Sequence, residues 1–264
     1  GDAKPIPMNT ATGRPGDGLG VAPSQIGVFD ASFPLRRVAR LQPGAEQHLF
    51  PTGGSLTAPL SGWAAAGVQG YDNARWVELL EGRDRFGRPR GAAGALMLHY
   101  SGYFSGSMWA FFGVENRDLF DGTSPWLDTG LVNTARFIAR GLFLRNLKTD
   151  LALYRQGEPV KYQVTVQNQG TSPQMCDVNV LIYRDGGRTP DGAAAWRVTV
   201  PAGGSEVVEG TWSPREFASD LYQVRVRLLQ DRQPLDAMAS GFMVQSPQAI
   251  ARGPELRFHD NYLH

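Results

Sequence analysis

Glu115 and Asp118 are the residues whose type and spacing come nearest to acid–base chemistry. Glycoside hydrolysis needs two carboxyl groups, one as general acid and one as nucleophile or base, about 5.5 Å or about 6.5–9.5 Å apart. Both acids follow the apolar run from Met108 to Val114, so the end of a strand could present them together. Acidic residues after a strand also serve as turn formers and caps, and this ordinary role remains the alternative.

Oxygen-bearing side chains in the same region suggest a second kind of site. Asp118 and Asp121, together with Asn116 and Asp128, could supply ligands to Ca²⁺. Their spacing matches no EF-hand loop, and ordinary loop capping is the alternative explanation. The four histidines form no HxH or HExxH pattern, and the glycines match neither a P-loop nor a dinucleotide-binding turn. Apart from this calcium option, the sequence predicts no cofactor.

Aromatic and polar residues of the first 110 positions form the mixture that sugars require. Flat apolar rings stack on sugar faces, while polar side chains bond to the hydroxyl groups. Core packing is the alternative explanation for such a cluster. Packing explains Tyr71 least well, because this residue lies in a predicted loop between two strands. The candidate ligand-binding residues are Tyr71, Asp72, Asn73, Arg75, Trp76, Tyr103 and Trp109.

A predicted hairpin must position these residues. Two apolar runs, Ala95–Tyr100 and Met108–Val114, flank a turn-rich connection that contains Gly102 and Gly106. A loop is predicted before the hairpin, over 81–91. After it, Leu131, Ala135, Ile138 and Leu142 have helical spacing, which predicts a helix from Asp128 to Leu144 with Asp128 or Thr129 as N-cap.

The second half of the chain alternates apolar and polar residues in short segments separated by glycine-rich turns. This pattern is typical of an immunoglobulin-like β-sandwich. Seven strands are predicted: Asp150–Tyr154, Val160–Asn168, Asp177–Tyr183, Ala195–Val200, Ser205–Trp212, Tyr222–Leu229 and Ala237–Val244.

Length and composition support a mainly β protein with two domains. The 264 residues include 32 glycines and 18 prolines, which indicates many turns. We predict an α+β domain over 1–147, with an irregular N-terminal arm, an antiparallel sheet and one helix. An immunoglobulin-like β-sandwich follows over 148–246, and a C-terminal tail over 247–264.

Charge and apolar content constrain the partners. The net charge of +1 gives no reason to expect nucleic acid or an anionic membrane surface, and no run has the ~20 apolar residues of a membrane span. The single cysteine, Cys176, lies in a strand-like segment and is expected to be buried and inert. Without disulfides the compartment is weakly determined, since both cytosolic and exported β-rich proteins fit.

Two stretches resemble known families. The segments ALYRQGEPVKYQVTVQNQG, VNVLIYRDGG and LYQVRVRL, with Trp212 between the last two, resemble CARDB and related immunoglobulin-like modules of bacterial surface and secreted proteins over Thr149 to Gln245. This resemblance implies a structural corner tyrosine at Tyr222. Residues 56–145 resemble the closing part of amidotransferase-like domains attached to bacterial glycoside hydrolases, but the chain has no nucleophilic cysteine elbow.

The resemblance implies a non-catalytic accessory or carbohydrate-recognition region of a bacterial glycoside-hydrolase-like protein that is secreted, periplasmic or on the cell surface. Its expected partners are carbohydrate and other domains or chains of a larger protein. Two alternatives stay open: a glycan-acting hydrolase that uses Glu115 and Asp118, and a structural or adhesion scaffold that binds protein partners.

Overall fold

A computed structural model describes residues 37–40, 55–56, 74–83, 89–102, 104–112, 122 and 125–245. The fold is mainly β, as the sequence predicts, with an α+β part followed by an immunoglobulin-like sandwich. The chain divides between Ile138 and Ala139 into two compact units.

The first unit contains a five-stranded antiparallel sheet with strand order β2-β1-β3-β4-β5. Apolar residues of β3 and β4 form its core, and Leu80, Ala95, Leu96 and Leu98 are fully buried. The strands are β1 (Arg37–Arg40), β2 (Ser55–Leu56), β3 (Ala74–Arg83), β4 (Pro89–His99) and β5 (Met108–Phe112).

The predicted hairpin is confirmed. β4 pairs with β5, and the connection is closed by hydrogen bonds from Gly106 N to His99 O and from His99 N to Ser107 O, both 3.0 Å. Gly106 has a φ of 87°, a conformation that favours glycine. The loop predicted over 81–91 is wrong at both ends, because β3 continues to Arg83 and β4 begins at Pro89. Proline is tolerated as the first residue of a strand.

One helix, α1 (Pro125–Arg140), follows the sheet, but its bounds differ from the predicted ones. It begins three residues before Asp128, with proline at the first helical position, where the missing N–H costs nothing. It ends before Gly141, which has a φ of 69°. The predicted apolar face was also wrong, because the buried helix residues are Leu127, Gly130, Thr134 and Phe137.

The second unit is a β-sandwich of a three-stranded and a five-stranded sheet. Six of the seven predicted strands are present over most of their length, but Asp150–Tyr154 is a strand only at its last two residues. An eighth strand, β6, begins at Leu142, within the last three residues of the predicted helix. The three-stranded sheet has the order β11-β8-β6 and the other β10-β9-β12-β13-β7. The strands are β6 (Leu142–Thr149), β7 (Leu153–Arg155), β8 (Val160–Asn168), β9 (Gln174–Arg184), β10 (Gly192–Val200), β11 (Ser205–Trp212), β12 (Leu221–Gln230) and β13 (Gln233–Gln245).

Strict alternation along the central strands builds the sandwich core. On β12, Tyr222, Val224, Val226 and Leu228 are at most 2% exposed, and β9 buries alternate residues in the same way. β8 alternates only in its first half, and its residues 164–168 are all buried. Tyr222 stacks on Phe242 with ring centroids 5.2 Å apart. Its hydroxyl accepts a hydrogen bond of 2.7 Å from the backbone N–H of Ala218, which confirms the predicted corner tyrosine.

Two buried polar side chains tie strands together. Asp236 on β13 accepts hydrogen bonds from the backbone N–H groups of Leu144 (2.7 Å) and Ala237 (2.8 Å), and thereby joins the two sheets. The amide of Asn168, at the end of β8, donates to the carbonyl oxygens of Val200 and Pro201 at 3.1 and 3.0 Å. Both contacts satisfy polar groups that burial would otherwise leave without partners.

Candidate functional site

Most of the site residues predicted from the sequence lie outside the residues that the structure describes. Their assignment to catalysis, calcium binding or sugar binding therefore stays a prediction. These residues are Glu115, Asp118, Asp121, Tyr71, Asp72, Asn73 and Tyr103.

Strand register separates the described members of the predicted sugar site. Arg75 pairs with Leu98, and Leu98 pairs with Met108. Trp76 pairs with Met97 and Met97 with Trp109, so these residues form the neighbouring row of the sheet. Because successive residues of a strand point to opposite faces, Arg75 and Trp109 lie on opposite faces of this sheet.

Trp109 lies in a small aromatic cluster at the hairpin. Its ring lies 5.1 Å from that of Phe104 and 5.2 Å from that of His99. His99 is buried, and burial lowers the pKa of its imidazole from 6.5 because the charged form loses hydration. A neutral imidazole packed between two rings closes the hairpin, which is the structural role expected for a histidine in a strand.

A polar cavity of about 340 Å³ lies in the second unit, on the three-stranded sheet. Ordinary ligand pockets range from about 300 to 1,000 Å³, so this cavity has room for a small sugar unit. It is lined by Lys148, Thr149, Asp150, Lys161, Tyr162, Gln163, Glu209, Gly210 and Thr211. None of the residues predicted for the site is among them.

Register explains which side chains face the cavity. Gln163 on β8 pairs with Lys148 on β6 and with Glu209 on β11. Tyr162 and Val164 point into the core, so the row Lys148–Gln163–Glu209 points outward. Strands lie about 4.8 Å apart, which places Lys148 and Glu209 about 10 Å from each other across Gln163. An ammonium, an amide and a carboxylate thus stand side by side.

A second outward row completes the cavity. Lys161 pairs with Thr211, and its backbone N–H donates to the Asp150 carboxylate at 3.1 Å. The hydroxyl of Tyr154 also donates to this carboxylate and holds the pKa of Asp150 below its usual value. Burial, assisted by this bond, raises the pKa of Tyr154 to about 12. Asp150 is therefore a fixed anion at one end of the cavity.

Tyr162 and Gly210 pack closely together beneath the cavity. The Tyr162 ring lies under the sheet, and a Cβ placed on Gly210 would stand 2.5 Å from the Tyr162 hydroxyl oxygen. Only glycine fits this position. The sequence gives no direct signal for this site, because its residues come from three strands whose pairing is not evident from the linear chain.

Other kinds of site are not seen in the described part of the chain. There, no group of three or more His, Cys, Asp or Glu residues is arranged to hold a metal ion. The same residues contain no helix with the length and apolar character that a bilayer crossing requires.

The sequence matches no protein-family model and no curated protein. Among solved structures, the chain is similar to a cycloisomaltooligosaccharide glucanotransferase from a Paenibacillus species, complexed with cycloisomaltoheptaose. Sequence identity is 23%, the match covers 43% of this chain and 15% of that chain, and the TM-score is 0.34. A glycosyl hydrolase family 2 member from Bacteroides cellulosilyticus matches with 19% identity, 40% and 17% coverage and a TM-score of 0.32.

A CARDB domain from Pyrococcus furiosus, in complex with di-metal ions, matches with 16% identity and a TM-score of 0.33. The match covers 40% of this chain and 89% of that domain. The chain thus spans less than a fifth of the two carbohydrate-active enzymes, at 15% and 17% of their lengths. The relation to glycoside hydrolase chains and to a CARDB domain is loose and assigns the chain to no family.

Proposed function

We propose that this chain is a non-catalytic accessory region of an exported, glycoside-hydrolase-like protein, and that its polar cavity binds a neutral carbohydrate. The observation that supports the proposal is the outward row Lys148–Gln163–Glu209 in a cavity of about 340 Å³. Hydroxyl groups of a sugar both donate and accept hydrogen bonds, and this row offers donors and acceptors in turn.

The charge balance of the cavity favours a neutral ligand. Its two lysines, Lys148 and Lys161, are matched by two carboxylates, Asp150 and Glu209. A free carboxylate or phosphate on the ligand would meet as much repulsion as attraction. The hydroxyl groups of a neutral sugar can donate hydrogen bonds to the carboxylates and accept them from the ammonium groups, and the sugar displaces only surface water when it binds.

The test is affinity electrophoresis of the whole chain through native gels that contain neutral polysaccharides such as dextran, pullulan, laminarin and xylan. We expect retardation by at least one of them, without release of reducing ends. Glu209→Gln should weaken the retardation. Glu206→Gln, the same change on the same strand but outside the cavity, should leave it unaltered.

The outcomes separate this proposal from its alternatives. Release of reducing ends that is lost in Glu115→Gln would make the chain a hydrolase. Retardation that is lost in Trp76→Ala but kept in Glu209→Gln would move the sugar site to the first unit. Passage through every gel without retardation would overturn carbohydrate recognition and favour a scaffold with protein partners.

A further inference from the structure

The outward face of the five-stranded sheet carries two exposed arginines, Arg225 and Arg227, on the central strand β12. Their neighbours Val224 and Val226 are fully buried, so alternation directs both arginines away from the core. Two residues of strand separate their Cα atoms by about 6.6 Å. The two guanidinium groups therefore extend from adjacent points of one flat surface.

Uncharged residues flank these two arginines in register. Arg225 lies between Leu181 and Ala239, and Arg227 lies between Asn179 and Ala237. Farther out, Ala193 and Ala195 of β10 continue the same two rows. The arginines thus form a ridge with alanines directly beside it on β13, and with Leu181 and Asn179 between it and the β10 alanines on the other side.

The charge of this ridge is not neutralised within the described residues. Arg225 donates through Nε to the amide oxygen of Gln223 at 2.6 Å, and its guanidinium carbon lies 4.8 Å from the Tyr183 ring centroid. Both partners are uncharged. By contrast, Arg197 on the same face is paired with Asp177 at 2.8 Å.

We propose that this arginine ridge, formed by Arg225 and Arg227 with Asn179, Gln223 and Tyr183 beside them, binds the carboxylates of an acidic polysaccharide. A guanidinium group matches a carboxylate with two parallel N–H···O bonds. The amides of Asn179 and Gln223 can bond to hydroxyl groups, and the alanine rows leave room for a flat chain of sugar rings. The choice of ligand class rests on the proposed carbohydrate recognition, but the residues are separate from the cavity.

An acidic peptide fits this surface less well. The backbone groups of β9 and β12 are already paired with strands on both sides, so a peptide cannot add to the sheet here. Stable protein interfaces also bury an apolar, charge-poor centre. Beside Leu181 and Tyr183, the centre of this face carries two cations and two amides, which suits a ligand rich in carboxylates and hydroxyls.

The test compares polygalacturonate with highly methyl-esterified pectin, which has the same backbone but few free carboxylates. The whole chain should be retarded by polygalacturonate more strongly than by the ester, and less as NaCl rises from about 0.05 to about 0.5 M, because salt screens exposed charges. Arg225→Gln/Arg227→Gln should weaken binding by about fivefold or more, the loss of two exposed charge-assisted pairs.

A matched double variant removes the same charge elsewhere. Arg136→Gln/Arg215→Gln replaces two exposed arginines that lie outside this face. The affinity for polygalacturonate should stay within about twofold of that of the unaltered chain, because neither arginine contacts the ligand at the proposed site. Equal losses in the two double variants would show attraction by net charge alone and would overturn the site. Circular dichroism and thermal unfolding check that both variants fold.

Two further results decide the ligand class and keep the two proposals apart. Equal or tighter binding of poly-L-glutamate would overturn the assignment to a polysaccharide. Loss of neutral-polysaccharide binding in Glu209→Gln, with polygalacturonate binding kept, would support two independent sites. If the chain binds a neutral polysaccharide but not polygalacturonate, the arginine-ridge proposal is wrong and the cavity proposal stands. If the chain binds polygalacturonate but no neutral polysaccharide, the cavity proposal is wrong and the arginine-ridge proposal stands.

Discussion

At the scale of single residues, buried polar groups decide how the sandwich holds together. Asp236 is buried at the junction of the two sheets, where its carboxylate accepts backbone hydrogen bonds from both β6 and β13. Its position was not predicted, because an acid between Leu235 and Ala237 is indistinguishable in sequence from an ordinary turn residue. Its partner Leu144 lies 92 positions away along the chain.

Asp236→Ala should lower the free energy of unfolding by about 1–3 kcal/mol, since the N–H of Leu144 would remain buried without this acceptor. Urea denaturation followed by circular dichroism measures the change. Asp185→Ala, in an exposed turn, serves as the control and should change stability by less than about 0.5 kcal/mol. Similar values for the two variants would contradict the role assigned to Asp236.

Cys176 illustrates a residue whose environment was predicted correctly. The cysteine is buried on β9, and burial raises the pKa of its thiol to about 11. At pH 8 the native thiol should therefore react with a disulfide reagent roughly a hundredfold more slowly than the unfolded chain. Stopped-flow labelling with and without urea measures this ratio. Fast stoichiometric labelling of the native protein would show that the thiol is accessible.

At the scale of elements, periodicity predicted the strands and failed at the junction between α1 and β6. The predicted helix extended to Leu144 because Leu131, Ala135, Ile138 and Leu142 share helical spacing. Gly141 ends the helix, and the following residues Leu142, Phe143 and Leu144 are all fully buried in a strand. A short apolar run of this kind fits a buried strand and a helix equally well, and only the pairing with β8 distinguishes them.

Glycine positions test this junction. Gly141 has a φ of 69°, and an added Cβ would lie 2.9 Å from the backbone nitrogen of Gly170. Gly203 has a φ of 63° with no atom within 4 Å of an added Cβ. Gly203→Ala should therefore cost about 1 kcal/mol from backbone conformation alone, and Gly141→Ala clearly more. If urea denaturation shows the same loss in free energy of unfolding for both variants, the backbone near Gly141 accommodates the added Cβ without further cost.

The same reasoning explains what could be predicted of the candidate site. The strand Val160–Asn168 was predicted with the right bounds, but Lys148 was assigned to a domain boundary and Glu209 to no site at all. The cavity exists because Gln163 pairs with both. Pairing across three strands depends on tertiary packing, and the spacing of residues within one strand does not predict it.

At the scale of the whole molecule, two buried groups should make stability sensitive to alkaline pH. In the folded state burial raises the pKa of Tyr154 to about 12 and that of Cys176 to about 11. Both groups are held in their protonated forms, so the folded state binds more protons than the unfolded state between about pH 9 and about pH 12. Their stabilisation is complete below this window and is lost as pH rises through it.

Urea denaturation at intervals from pH 7 to pH 12 should show a nearly constant free energy of unfolding up to about pH 9 and a decline above it. The double variant Tyr154→Phe/Cys176→Ser should start from lower stability, because the bond to Asp150 is lost, but decline less steeply. An equally steep decline in this variant would mean that other groups cause the alkaline sensitivity.

The parallel pairing of β7 with β13 has a mechanical consequence. Leu153, Tyr154 and Arg155 pair with Met243, Val244 and Gln245, so nearly the first and the last strand of the sandwich run side by side in the same direction. Tension between the N-terminal end of β7 and the C-terminal end of β13 would pull these strands past each other, and their hydrogen bonds would be loaded together rather than one after another. Strands that share a load in this way resist force better than strands that peel apart, and such a sandwich would transmit tension along a longer chain before it extends.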